Sequence, residues 1–381
     1  MIQPAAISLY IHIPWCIRKC PYCDFNSHAQ RDEALPETEY VDALIRDLRF
    51  ELDRLGPARV LHSIFIGGGT PSLFSAAAIH RLLQQIDQQM PISSSTEITL
   101  EANPGTFEQQ KFAGFRAAGV NRLSLGIQSF HDTQLKALGR VHNAENAIQA
   151  ATSAIKLFDR VNLDLMHGLP EQQTQQALKD LQQAIDLGPE HLSWYQLTLE
   201  PNTEFHARPP QLPVDEALWE IQEQGQELLS LAGFQQYEIS AYARQGAVSQ
   251  HNMNYWTFGD YIGIGAGAHG KVSHRDSGSL RIERHQKQRQ PKGYLQALNP
   301  TQQREWVDED ELAFEFMLNA LRLYQGVPAG LFSERTGLSL DRIHKPLALA
   351  RAKGLLVDNP DRLEPTPQGR LFLNDLLELF L

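Results

Sequence analysis

The sequence predicts an α/β fold built on a parallel sheet, followed by a smaller and mostly helical unit. Three observations carry this. The first 230 residues or so alternate strand-like runs with amphipathic helical patterns. Polar and glycine-rich residues sit just past the strand-like runs, at Gly67–Thr70, Glu101–Asn103, Gln128 and Asp164. From about residue 306 the pattern turns to short helical segments. Six β-α units in series need crossover connections, so the sheet is parallel with helices outside, either an open doubly wound sheet or a barrel. Both architectures place their sites at the strand C-termini.

The strand-like runs are "SLYIHIP" (8–14), "SIFIGGG" (63–69), "EITLEANP" (97–104), "RLSLGIQSF" (122–130), "VNLDLMHGLP" (161–170) and "LSWYQLTL" (192–199). Over 38–56, Val41, Leu44, Ile45, Leu48, Leu52 and Leu55 recur at three- and four-residue steps, which predicts an amphipathic helix. Thr106 and Gln109 predict a capping box opening a later helix, with Gly119 as its C-terminal stop. "LGP" (187–189) stops another. "QQYEISAYAR" reads as a strand, "SQHNMNYWTFGDY" as a loop, and "IGIGAGAHG" as a glycine-rich turn without the amphipathic helix of a dinucleotide site. Residues 271–292 hold seven Lys or Arg against two acids and read as an exposed charged loop.

Beyond residue 306 the sequence predicts a helix at 309–323, a helix–turn–helix-like stretch at 328–353, a β-ribbon around "LLVDNPDRLEP" and a terminal helix at 367–381. That order is winged-helix-like. Pro346 conflicts with the second helix unless it opens or kinks it. The segment 306–381 carries twelve acids against eight Lys or Arg, which disfavours DNA as its partner. The domain boundaries expected are 1–234, 235–300 and 301–381.

The formal net charge of −11 excludes broad nucleic-acid binding, which needs a surplus of Lys and Arg. No apolar run approaches the roughly 20 residues of a membrane span, and the N-terminal stretch lacks the basic region of a signal peptide. All three cysteines, Cys16, Cys20 and Cys23, crowd into "CIRKCPYC". Clustered and odd in number, they do not make a disulfide framework, and they point to a reduced, cytoplasmic compartment. Thiolates are soft ligands for zinc, copper(I) and iron–sulfur clusters. A structural zinc site closes with four ligands, and His12 or His28 would have to complete it. Ordinary ferredoxin clusters also take four cysteines. Three thiolates leave one iron of a four-iron cluster open to a small molecule.

Cys-x3-Cys-x2-Cys after a first strand, with "GGGTP" (67–71) ending the second, resembles the radical S-adenosylmethionine (SAM) superfamily. That resemblance implies a partial (β/α)6 TIM-like barrel, a 4Fe–4S cluster on Cys16, Cys20 and Cys23, and SAM on the open iron. "YIHIPWC", "GGGTPS", "EANPG", "GIQSF", "LGR.H", "DLMHGLP" and "YQLT" are similar, in order, to the oxygen-independent coproporphyrinogen III dehydrogenase group. The resemblance places Tyr10 and Tyr22 beside SAM, and Gly68, Gly69 and Thr70 at its methionine end. It puts Glu101 against the amino-acid or ribose part, with Gln128, Arg140 and Asp164 completing the pocket and His269 near the adenosine. A branched side chain at Gly68 would then occupy ligand space.

Two departures separate this chain from the dehydrogenase itself. A fourth cysteine of that enzyme would fall at Phe25, and the enzyme's N-terminal arm precedes a strand that here begins near residue 8. "CDFNSH" (23–28), the terminal "NDLLELFL" and above all "HNMNYW" (251–256) resemble the HemW family of haem chaperones. By that resemblance His251, Tyr255 and Trp256 bind haem, His251 through its imidazole. The partners implied are haem and haem-acceptor proteins such as respiratory enzymes, some of them membrane-associated, and a homo-oligomer. Oxidative decarboxylation of coproporphyrinogen III is the alternative activity. The basic run 271–292 offers cations to haem propionates.

Overall fold

The computed structural model describes residues 6–30, 34–55, 59–276 and 279–381. Residues 1–5 of the N-terminal stretch, residue 56 at the end of the first predicted helix, and residues 277–278 of the basic run lie outside them. Six strands form the expected parallel series: β1 (Ile7–Ile13), β2 (Leu61–Gly68), β3 (Glu97–Ala102), β4 (Arg122–Gln128), β5 (Arg160–His167) and β6 (His191–Gln196). Each is pinned by period-2 alternation. Ile7, Leu9, Ile11 and Ile13 bury against the helices, which leaves Ser8, Tyr10 and His12 on the opposite face. That face curls on itself: burial and then the Glu101 carboxylate raise Tyr10, and Glu101 also acts on Tyr195 of β6, three strands from Glu101 and five from Tyr10. The result is a partial barrel.

The outer layer comprises α1 (Glu37–Leu55), α2 (Ala76–Asp87), α3 (Phe112–Ala118), α4 (Ala144–Leu157), α5 (Thr174–Leu187) and α6 (Asp215–Leu231). In α1 the buried stripe is Val41, Leu44, Ile45 and Leu48, as its spacing requires. The expected capping box does not form. Thr106 is already inside a single turn, Thr106–Gln109, whose N-cap is the extended Gly105, so its side chain caps nothing. Gly119 does end α3 in the left-handed region (φ 113°).

The strand predicted at 235–244 is a hairpin, β7 (Gln235–Glu238) and β8 (Ala241–Ala243), antiparallel on the β6 edge. "SQHNMNYW" is not a loop. Ser249 caps a helix, α7 (Gln250–Trp256), through the Asn252 amide. The glycine-rich stretch begins with a seventh parallel strand, β9 (Asp260–Ile264), on the outer side of β1. β10 (His269–Asp276), β11 (Ser279–Lys287) and β12 (Thr301–Trp306) then continue the sheet antiparallel, twelve strands in all. The basic run is therefore paired sheet rather than exposed loop, and Lys271 and Lys287 are buried. Burial is tolerated because carboxylates meet them: Lys271 Nζ lies 3.2 Å from Asp260, and Lys287 Nζ 2.5 Å from both Asp47 and Glu51 of α1.

The C-terminal unit packs α8 (Glu309–Ala320), α9 (Gly330–Thr336) and α10 (His344–Ala352) around Phe316, Met317, Phe332, Leu347 and Leu363. Pro346 sits in the first turn of α10, where its missing N–H would have had no helical acceptor. A small ribbon pairs Val327–Pro328 with Arg362–Leu363. The predicted terminal helix is two pieces, Pro367–Leu371 and Leu373–Glu378, broken at Phe372.

Candidate functional site

The three cysteines occupy one loop beyond β1. A two-residue pairing, Trp15–Cys16 with His28–Ala29, ties the loop's ends together, and the Cys23 amide donates to the Cys20 carbonyl at 3.1 Å. Each sulfur has a polar neighbour. Thr70 Oγ1 donates to Cys16 Sγ (3.5 Å), Arg140 Nη1 donates to Cys20 Sγ (3.8 Å), and Ser27 Oγ lies 3.7 Å from Cys23 Sγ. Burial pushes the Cys16 and Cys23 thiols up, so metal loading must release protons. Among the described residues no three His, Cys, Asp or Glu side chains converge on a single-ion site. The histidines considered for zinc are engaged elsewhere. The His12 ring bridges the Tyr10 hydroxyl and the Asn26 carbonyl, each at 2.9 Å, and His28 Nε2 meets Asn26 Oδ1 at 3.3 Å.

Below this loop the strand ends converge. Glu101 Oε2 accepts the Gly68 amide at 3.1 Å, and burial followed by the Asp164 carboxylate pushes Glu101 up to about 8. Asp164 accepts from Ser124 and Asn162. Arg140 spans the mouth, donating to Asn103 Oδ1 and the Gly126 carbonyl, both at 2.7 Å, as well as to Cys20. Gln128 holds a left-handed φ of 68° next to a strand irregularity, backbone strain of about 1–3 kcal/mol that a packed site sustains. Its Oε1 accepts from the Tyr195 hydroxyl (3.1 Å). Tyr22 packs near Phe205 and acts on Arg140. Gly68 has φ 111°, and a Cβ there would strike the His12 ring at 2.6 Å. A branched side chain here would meet the His12 ring and a backbone conformation it rarely adopts.

The structure brings Tyr10, Tyr22, Gly68, Gly69, Thr70, Glu101, Gln128, Arg140 and Asp164 to the cysteine-loop end of the barrel. Sequence reasoning gave Asn103 a strand-end place but no role, and it links Thr70 to Arg140; it weighed His12 only as a zinc ligand and missed Tyr195. All three fall on inward positions of strands or strand ends already located, so the two-residue alternation could have found them.

The motif helix divides differently from expectation. His251 is 1% exposed and points into the barrel, stacked on Phe65 (4.9 Å). Its Nδ1 meets Ser63 Oγ and its Nε2 meets the Tyr255 hydroxyl, both at 3.0 Å. Burial, then Arg122, lowers it to about 3, so the ring is neutral. With both nitrogens occupied in this structure, His251 holds the Tyr255 hydroxyl in place. Trp256 packs toward the C-terminal core beneath Arg322, whose guanidinium lies 4.3 Å from the ring centroid. Tyr255 alone of the three lines a cavity of about 570 Å³, within the range of small-molecule sites. Tyr10, His12, Asp24–Asn26, Tyr261, His269 and Arg289 share that lining. The cavity therefore lies between the cysteine loop and the motif helix.

Three cysteines on one loop at the mouth of a parallel β/α barrel define a radical SAM protein, and residues 10–183 match the radical SAM superfamily. Residues 307–372 match the HemN C-terminal domain. The fold is that of the coproporphyrinogen III oxidase structure from Escherichia coli, with a TM-score of 0.81 at 23% identity, covering 98% of this chain and 90% of that one. The heme chaperone HemW of Haemophilus influenzae is 52% identical, with 98% of each chain covered. That of Escherichia coli is 52% identical over all of both chains. The chain belongs to the HemW family. Among the described residues no helix is long and apolar enough to cross a membrane.

Proposed function

We propose that this protein binds haem in the cavity between the cysteine loop and α7 and passes it to acceptor haemoproteins, respiratory enzymes among them. The observation that carries the reading is the shared lining: Tyr255 of the motif faces the same space as Asp24–Asn26, directly after Cys23. The names of the relatives, heme chaperones, support it. Phe25, where the dehydrogenase group carries another cysteine, is 61% exposed and lines this space with an apolar face.

Family membership implies a 4Fe–4S cluster and SAM, and the residues present fit both. Three thiols stand on one loop with a hydroxyl or guanidinium at each sulfur, and buried carboxyls with an amide ring the space below. Cys16, Cys20 and Cys23 would hold the cluster; Gly68–Thr70, Glu101, Gln128, Arg140 and Asp164 would hold SAM. When bound, the pair supplies one-electron cleavage of a sulfonium C–S bond. Arg140 ties the Cys20 sulfur to the strand ends, Thr70 does so for Cys16, and Glu101, raised to about 8, holds a proton at neutral pH.

Glu101 therefore predicts a pH dependence. Its carboxyl is raised, so the ionised form that would accept from the SAM amino group or face its sulfonium charge is complete only above about 8. SAM affinity is expected to rise with pH up to about 8, by at most about tenfold per pH unit, and to level off above it. Calorimetry at pH 6.5 to 9 reads this directly, with proton release seen as a buffer-dependent heat. A flat profile would place Glu101 against a neutral part of the ligand.

Haem titration of the anaerobically reconstituted chain tests the main reading. Saturation at one haem per chain is expected, and no saturable binding would reject it. His251→Ala is expected to weaken haem binding by releasing Tyr255. It should also destabilise the fold by about 2–4 kcal/mol, because a buried ring is lost and Ser63 and Tyr255 are left without a partner. A variant as stable as the parent would contradict this placement of the ring.

A further inference from the structure

Three histidine rings lie at or next to the large cavity, and their availability differs. His12 spends one nitrogen on the Tyr10 hydroxyl and the other on the Asn26 carbonyl. His251 spends both on Ser63 and Tyr255 and does not line the cavity. His269, the first residue of β10, lines the cavity and is exposed within it. Its backbone is fixed in the sheet opposite Gln286, and neither ring nitrogen has a hydrogen-bond partner among the described residues. Burial, then Arg284 and Arg289, lower its pKa, which keeps the imidazole neutral and its lone pair free at neutral pH.

From this geometry we infer that His269, rather than the motif histidine His251, supplies the haem-iron ligand in the cavity shared by Tyr255, Tyr261 and Phe25. The inference rests on the haem reading above. The chemistry is a simple donor bond: the neutral imidazole nitrogen gives its lone pair to iron, with no change of oxidation state and no proton transfer. Tyr255 and Tyr261 meet edge to face at 4.5 Å between centroids and offer aromatic surface to the macrocycle. Arg289, on the same lining, is placed for a propionate carboxylate. The motif thus divides into parts: His251 holds Tyr255, Tyr255 faces the ring, and a residue outside the motif meets the metal.

The test is the Soret and electron paramagnetic resonance spectrum of ferric haem on the full chain, parent against His269→Ala and His251→Ala. His269 has no side-chain partner, so its loss leaves the fold intact. His269→Ala is expected to lose the histidine-ligated spectrum, to bind haem roughly tenfold more weakly, and to regain the parental spectrum with added imidazole. His251→Ala is expected to keep histidine ligation in the haem it still binds. A parental spectrum in His269→Ala would overturn the inference while leaving the haem reading standing. So would a His269→Ala defect confined to SAM affinity, which would make the ring an adenosine contact. Failure of the parent chain to bind haem saturably would remove the reading and the inference together.

Discussion

Replacing any one of Cys16, Cys20 and Cys23 with serine is expected to abolish the iron–sulfur absorbance of the reconstituted protein, not merely to reduce it. A hydroxyl is a poor substitute for a thiolate on iron. The loop offers no spare ligand, since the chain has no other cysteine and His12 and His28 are already hydrogen-bonded within the loop's own framework. The three variants should nevertheless fold. The loop is held by the Trp15–Cys16 pairing with His28–Ala29, which needs no sulfur. Iron and sulfide analysis beside the visible spectrum is the measurement. A cluster retained in any variant, or stoichiometric zinc in the iron-free parent, would refute the cluster assignment.

The largest effect on stability is expected from Lys287→Met. Lys287 is fully buried and donates to Asp47, Glu51 and Thr301, which joins α1 to the β11–β12 extension. Arg304 reinforces Glu51, and the Tyr294 hydroxyl donates to Asp47 at 2.7 Å. Removing the ammonium leaves two buried carboxylates short of a cation, a loss on the order of 3–5 kcal/mol. A melting temperature several degrees lower is the readout, and Asp47→Asn added to Lys287→Met should recover part of it. Burial opposes the charge on Glu51, yet His285, Lys287 and Arg304 bring it down to about 2. Because this folded-state value lies below the ordinary 4.5, the contribution of Glu51 is complete above about pH 4.5 and is lost as pH falls toward 2, whereas burial pushes its neighbour Asp47 up and sets a smaller opposing trend. Thermal melts across that window check the sign. An unchanged melt for Lys287→Met would show that the cluster is neutral to stability.

What the sequence disclosed and what it hid follow from the range of the interactions concerned. The six parallel strands of the barrel were legible because their pattern is local: Ile7, Leu9, Ile11 and Ile13 alternate with Ser8, Tyr10 and His12. The cysteine loop was legible because its spacing is chemistry in itself. Helix α7 was not, since Gln-His-Asn-Met-Asn-Tyr-Trp is a poor helix former. It is held by the Ser249 cap and by His251 reaching strands nearly two hundred residues away, and neither shows as periodicity. The basic run misled for the same reason. Its charge suggested water, whereas the carboxylates that accept Lys287 belong to α1, at the other end of the chain. The site residues at strand ends were placed by position, while the division of labour within "HNMNYW" depends on which way each ring turns.

Helix α7 has its histidine sunk in the barrel, its tyrosine on the cavity and its tryptophan in the C-terminal core. It acts as a rivet through both bodies. The two halves of this chain are consequently not interchangeable parts. A hybrid that grafts the C-terminal domain of one family member onto the barrel of another would have to carry residues 250–256 and their Arg322 contact as a matched set. A chain cut back to the barrel alone would lose the packing that seats Trp256, even though every cysteine remained in place.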